Sequence, residues 1–266
     1  MSTRPDYIDR EILDNLKEYS ADIIELGVQS LDDEVLLKSG RGHSVEEVHR
    51  ASKLIREYGF TLGHQIMLGL PGDTFKKDIE TVAKSLEMEP DIARIYPALV
   101  IKDTPMEDML KKGTYKPYTL DEAIDITMLL YSMYEEQDVK VIRIGLQPTE
   151  EINENKDVLG GPFHPAFREL VEGKIINEAI FSHVEDSSEE NLEIYINNKD
   201  ISKLYCNKKQ FFNEFIDKKN VKRFKVIQDE TLNRGNIIIK KGENQEHIFI
   251  KEYMRKLSEE GKNLFI

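Results

Sequence analysis

The sequence predicts an α/β protein whose first part is built on a parallel sheet, followed by a smaller α+β module. Three observations carry this reading. Apolar runs of strand length recur at 22–28, 60–68, 92–101 and 139–147. The intervals between them hold apolar residues at helical spacing, which calls for βαβ units with right-handed crossovers. From Asn191 the pattern changes to short alternating strands and two helices, with no internal repeat or low-complexity tract.

The elements follow in order. Ser2 to Asp6 reads as the end of a strand or loop leading into a helix over about 8–18, where Ile8, Ile12, Leu13 and Leu16 share one face. Ile23 to Val28 is rich in β-branched residues and reads as a buried parallel strand. A short helical turn follows over 31–37, with acids at its N-terminal end. Ser39-Gly40-Arg41-Gly42-His43-Ser44 is a glycine-flanked loop, and Ser44 with Glu47 forms a capping-box signature for a helix over 45–58. The strand 60–68 ends in the turn Gly69-Leu70-Pro71-Gly72-Asp73-Thr74; a helix over 75–88 leads to the strand 92–101. Leu120 to Glu136 is a long helix with a wide apolar face, and 139–147 is a fourth strand. The stretch from Pro148 to Pro165 is too long for mere connection, and such loops are often functional or lid-like. In the last module NLEIYIN, VKRFKVIQD and NIIIKKG read as strands, SKLYCNKKQFFNEFIDKK and HIFIKEYMRKLSEEG as helices.

The chain has 266 residues, 39% hydrophobic and 33% charged, enough to bury a full core. No apolar run approaches the roughly 18 residues of a membrane span, and the N-terminus lacks the apolar core of a signal peptide. No membrane association and a cytoplasmic location are expected. Residues 1–186 carry a net charge of −16 and residues 187–266 one of +3, together the −13 of the whole. That asymmetry, with the polar run Glu185 to Glu190, places a domain boundary between 186 and 187. The single cysteine, Cys206, excludes an internal disulfide and a cysteine-rich metal site built by this chain alone. It reads as a small core residue. There is no nucleophile elbow, Walker loop or paired-histidine zinc signature.

In an α/β barrel, groups at the C-terminal ends of strands face the active site. Glu25, Gln29 and Arg41 are therefore candidates to meet one ligand. Glu25 sits mid-strand among apolar residues, where a carboxylate needs a ligand or a neighbouring cation. His64 and Gln65 point to opposite faces by alternation, and Gln65 is expected inside. Tyr96 and Arg143 face either a substrate or the core, the latter through packing or an ion pair. His164 is either a lid residue or a satisfied loop histidine. Lys218, Lys219, Lys222 and Arg223 form either an RNA contact or a solvated face.

The segments LGVQS, GRGH, GLPG, YPALVI and GTYKPYT, in this order and spacing, resemble the second half of a radical S-adenosylmethionine (SAM) domain, most closely that of the Elongator catalytic subunit and its bacterial relatives. IRIGLQ and GGPFHPAFREL look like its continuation. The resemblance implies the C-terminal half of a partial (βα)6, TIM-like barrel, comprising strands four to six, over residues 1–186, with a small α+β module at 187–266. It implies SAM as cofactor, with Gln29 and Arg41 at its methionine and ribose portions and Gln65 at a position that contacts it in some relatives. It also implies a 4Fe-4S cluster whose cysteines would precede Ser2, so this chain by itself is expected to be inactive and to be part of a longer protein. The implied reaction is reductive SAM cleavage to a 5′-deoxyadenosyl radical, with tRNA as a substrate class and flavodoxin or ferredoxin as electron donor. The alternatives are a non-catalytic RNA-associated module, an enzyme like oxygen-independent coproporphyrinogen oxidase, through GVQS, GRGH and GLPG, or a non-radical barrel-like enzyme using the same strand ends.

Overall fold

The computed structural model describes residues 1–147, 157–185 and 191–263. Its first part runs β1 (Ser2–Thr3), α1 (Arg10–Glu18), β2 (Ile23–Gln29), α2 (Asp33–Lys38), α3 (Val45–Glu57), β3 (Thr61–Leu68), α4 (Phe75–Glu87) and β4 (Ile92–Pro97). It continues through β5 (Val100–Ile101), α5 (Pro105–Lys111), α6 (Leu120–Glu136), β6 (Lys140–Ile144) and β7 (Val158–Gly160). The second part runs α7 (Phe167–Phe181), β8 (Leu192–Ile196), α8 (Ile201–Leu204), α9 (Cys206–Lys219), β9 (Phe224–Gln228), β10 (Asn236–Lys241), β11 (Asn244–Phe249) and α10 (Ile250–Asn263).

β1, β2, β3, β4 and β6 form one parallel sheet in that order. The helices between them start where the sequence supplies caps. Asp9 accepts from the Ile12 amide, Asp32 from Val35 and Thr74 from Lys77. Ser44 with Glu47, and Thr119 with Glu122, close reciprocal capping boxes at α3 and α6. Helices α3, α4 and α6 contact the strands. Leu26, Val28, Leu62, Ile66, Ala93 and Ile95 are buried among them. Alternation sends Glu25, Gln65, Met67, Arg94 and Tyr96 the other way, and all five are only half-buried. The sheet thus has one packed apolar face and one open polar face.

His64 lies on the packed face, fully buried and bonded through both ring nitrogens. Nε2 meets Ser52 Oγ at 3.0 Å and Nδ1 meets Ser85 Oγ at 2.8 Å, and Ser85 Oγ continues to Tyr134 Oη at 2.9 Å. One hydrogen-bond chain therefore stitches α3, β3, α4 and α6 together inside the core.

Four expectations change. The strand 92–101 breaks after Pro97: Val100–Ile101 leaves the sheet and pairs antiparallel with Val158–Gly160. The terminal helix begins at Ile250, because Asn244–Phe249 pairs with β10 as a strand. The helix over SKLYCNKKQFFNEFIDKK is interrupted, with Asn207, Lys208 and Lys209 in left-handed conformation. The compact units divide between Phe167 and Arg168 rather than between 186 and 187, with Gly261–Ile266 grouped with the first. The reason is packing. Ile176, Ala179, Ile180 and Phe181 of α7 belong to the apolar core of the second unit, with Leu192, Ile194, Ile196, Phe212, Ile237 and Ile239. The polar run at 186–190 and the loop segment 148–156 lie outside the described residues.

The second unit is a four-stranded sheet in the order β11, β10, β8, β9; β8 and β9 are parallel and the other pairs antiparallel. Among the described residues, no helix is long and apolar enough to cross a membrane.

Candidate functional site on the open sheet face

The open face carries a connected set of polar side chains. Arg94 lies beside Glu25 with both Nε and Nη2 engaged: Nη2 donates to Glu25 Oε1 at 2.8 Å, and Nε to Oε2. This is a two-toothed pair of the kind that fixes a guanidinium in direction as well as place. The carboxylate raises the Arg94 pKa above the ordinary arginine value, through its hydrogen bonds first. Gln65 Nε2 donates to Glu25 Oε2 at 3.3 Å and to Ser2 Oγ at 2.8 Å, which draws β1, β2, β3 and β4 into the same network. Arg94 Nη1 reaches Tyr96 Oη at 3.4 Å. Glu25 therefore has the neighbouring cation that its burial requires, and Gln65 faces the open side as alternation predicts.

Two glycines let these side chains lie along the sheet. A Cβ on Gly63 would stand 2.8 Å from Glu25 Cγ, and one on Gly27 would stand 2.8 Å from Gln29 Nε2. The amide of Gln29 thus folds back over Gly27. It can do so because Gln29 itself is left-handed, with φ of 65°, where the β2–β3 register shifts. A non-glycine residue in that region is strained, and such strain concentrates where a side chain must be aimed.

Arg41 is delivered to the same face by the loop after α2. Its Nη2 lies 2.9 Å from Met67 Sδ, and its Nε is buried with no hydrogen-bond partner. Among the described residues no carboxylate pairs with it, and burial lowers its pKa from the ordinary value. The loop around it is fixed at Gly42, whose carbonyl accepts from Arg4 Nη2 at 2.9 Å, and at His43, whose Nε2 lies 3.1 Å from Val28 O. A guanidinium held in place with no carboxylate among the described residues suits a carboxylate from outside the chain.

Of the other expected residues, Tyr96 joins the network through Arg94, while Arg143 on β6 stands in register beside Arg94 and donates to Gln147 Oε1 at 3.0 Å. His164 is further along the chain, with its Nδ1 accepting from the Ala166 amide at 3.1 Å. Arg94 is the residue that sequence reasoning missed. The signal was present, since alternation in IARIYP places Arg94 and Tyr96 on one face.

At the C-terminal end of β3 the turn Gly69 to Thr74 encloses a second polar group. Asp78 on α4 is buried, accepts from Tyr118 Oη at 2.8 Å and lies 3.4 Å from the Gly69 amide. Asp73 is hydrogen-bonded to it. Burial first, and the neighbouring Asp73 second, push the Asp78 carboxyl well above the usual range. Gly69 has φ of 67°, and a Cβ there would stand 2.6 Å from the Tyr118 ring. It is thus both a turn glycine and a close approach.

Cys206 does not fit a cluster ligand. It is the one cysteine of the sequence, it lies in the second unit, and burial pushes its thiol up to about 11. Among the described residues no group of three or more His, Cys, Asp or Glu could hold a metal. Since iron–sulfur clusters take several thiolates, anaerobic reconstitution of this chain is expected to leave no stoichiometric iron and sulfide. Visible charge-transfer absorption with matching iron analysis would refute that.

A parallel sheet shielded by helices on one side, with polar side chains across the other, is a segment of an α/β barrel with one face left open. Residues 1–177 belong to the radical SAM superfamily: residues 1–86 match the model of that superfamily, and residues 90–177 match the Radical_SAM C-terminal domain. The chain is 36% identical over 129 residues to the tRNA uridine(34) acetyltransferase of Methanocaldococcus infernus, covering 47% of this chain and 24% of that protein. It is 30% identical over 136 residues to human Elongator complex protein 3, covering 50% of this chain and 25% of that protein. The chain spans about a quarter of the length of these relatives. Among solved structures, the archaeal Methanocaldococcus infernus Elp3 lacking residues 1–46 superposes with a TM-score of 0.59 at 29% identity. That match covers 66% of this chain and 41% of the other.

Proposed function

We propose that this chain supplies the SAM-positioning part of a cytoplasmic radical SAM enzyme that modifies tRNA. The observation that carries the reading is Arg41, a half-buried guanidinium with its Nε shut away from solvent, held in place and left without a carboxylate among the described residues. The SAM carboxylate is the natural partner for it. Gln29, aimed across Gly27, offers a donor and an acceptor to the methionine and ribose portions. Gln65 and Glu25 present a fixed polar surface next to it, and Arg94 holds that carboxylate still.

SAM together with a 4Fe-4S cluster supplies a 5′-deoxyadenosyl radical in enzymes of this kind, with the electron delivered by a donor such as flavodoxin or ferredoxin. The residues of this chain bind, orient and keep water away; they hold SAM and do not hold the cluster. The tRNA assignment is supported by relatives whose names state that substrate, a tRNA uridine.

The test is SAM binding by anaerobic calorimetry on folded protein. Losing a hydrogen bond to a charged group costs about 1.5–3 kcal/mol, roughly 10- to 150-fold in affinity. Arg41→Ala is expected to weaken SAM at least about tenfold, while Lys222→Ala in the second unit leaves it unchanged. Equal affinity in wild type and Arg41→Ala would remove the residue from the site.

A further inference from the structure

The open face holds more positive charge than one SAM carboxylate can answer. Arg94 and Arg143 are direct partners in the β4–β6 register and project from the same face. Adjacent strands lie only about 4.8 Å apart, and like charges side by side are unfavourable. Glu25 answers Arg94 alone. Arg143 meets only the neutral Gln147, and no carboxylate among the described residues pairs with it. Among the described residues, three arginines, Arg41, Arg94 and Arg143, stand across this face against the carboxylate of Glu25, in a chain whose net charge is −13. Folding alone gives no reason to place a second, unanswered cation here.

The geometry of the Arg94 fork shows where the missing anion fits. Glu25 occupies its Nε and Nη2, which leaves Nη1 directed away from the carboxylate toward Tyr96. Nη1 carries two protons and makes one long contact with Tyr96 Oη, whose own proton has no acceptor among the described residues. The Arg143 guanidinium comes from the neighbouring strand at the same level. We propose that Arg94 Nη1, Arg143 and the Tyr96 hydroxyl form a second anion subsite, separate from Arg41, that takes a phosphate group of the substrate. Donors from three side chains suit a tetrahedral phosphate, with three oxygens to offer, better than a planar carboxylate with two. The assignment of the phosphate to substrate rests on the function proposed above. It places an anionic part of that substrate beside the bound SAM, on the strand side away from Arg41.

Arginine-selective labelling with phenylglyoxal, read residue by residue by peptide mass spectrometry, tests this on the full chain. Inorganic phosphate, acetate and SAM are compared at matched ionic strength against chloride. Phosphate is expected to slow labelling of Arg143 by about threefold or more and to leave Arg41 unaffected, and Tyr96→Phe is expected to remove about half of that protection. SAM is expected to protect Arg41 and spare Arg143. Equal protection of Arg143 by phosphate and chloride overturns the subsite, and equal protection by acetate and phosphate overturns the phosphate assignment. Protection of Arg41 by SAM is read in the same experiment, so failure of the SAM site and failure of the phosphate subsite are separate results.

Discussion

Between about pH 7.5 and about pH 5 the wild-type chain is expected to lose about 2 kcal/mol of stability relative to a His64→Gln variant. The cause is the buried histidine on the packed face of the sheet. Burial first, and the charge of nearby His49 second, lower its pKa from 6.5 to about 3. The folded protein therefore keeps the ring neutral where the unfolded chain takes up a proton. Below 6.5 the unfolded state binds more protons, so stability falls as pH falls, by about 1.4 kcal/mol per unit until the folded pKa is reached. Glutamine retains a donor and an acceptor for Ser52 and Ser85 without titrating. Urea unfolding of both proteins across this range reads the difference, and parallel pH profiles would refute it. His64→Phe should be worse at every pH, by roughly 3 kcal/mol, because two buried serines lose a partner.

Asp78 is expected to act with the opposite sign. Its folded pKa lies well above the 3.8 of the free side chain. Stability from the protonated carboxyl is thus fully present below that value and is lost as pH rises through the folded pKa. Asp78→Asn keeps the shape and the contacts to Tyr118 and the Gly69 amide but cannot ionise. Relative to wild type, this variant should gain stability steadily from about pH 4 upward, at up to about 1.4 kcal/mol per unit. Asp78→Ala should lose about 3 kcal/mol even in acid, since it strands the Tyr118 hydroxyl and the Gly69 amide. Chemical unfolding of the three proteins at about pH 5 and about pH 8 checks both statements. An asparagine variant with a constant deficit at both values would show that Asp78 is ionised in the fold. Because the slopes of His64 and Asp78 oppose each other, each appears only as a difference from its own variant.

The first unit was readable where a cap and a period agreed. Helices α3, α4 and α6 begin at Ser44, Thr74 and Thr119, whose side chains accept from the first turn. The strands β2 and β3 fall within a residue or two of their apolar runs. Alternation also sorted His64 from Gln65. The break after Pro97 was not readable, because Ala98 to Ile101 stays apolar while it leaves for a pairing with Val158–Gly160. Helix α7 escaped because its charged residues, Arg168, Glu169, Glu172, Lys174 and Glu178, are spread around it, so it lacks the apolar stripe that marks a surface helix. Strand β11, NQEHIF, is mostly polar and takes its conformation from pairing with β10. On the open face, local pattern pointed to Glu25, Gln29, Gln65 and Tyr96 as candidates, but the meeting of Arg41 with Met67 joins residues 26 apart in sequence. Only the folded loop brings them together. Arg94 was within reach of the alternation argument and was passed over for its neighbour Tyr96.

Gly27 and Gly63 give the open face its relief. With no methyl beneath them, the Gln29 amide and the Glu25 carboxylate rest against the backbone instead of rising from it. The polar layer is then about one side chain thick, a floor and not a set of posts. Its hydrogen-bonding atoms lie close to the strands themselves. Alanine at position 63 would tip the carboxylate upward and carry the Arg94 fork with it, raising a step in the middle of that floor. The clearance above the sheet is therefore set by what two residues leave out.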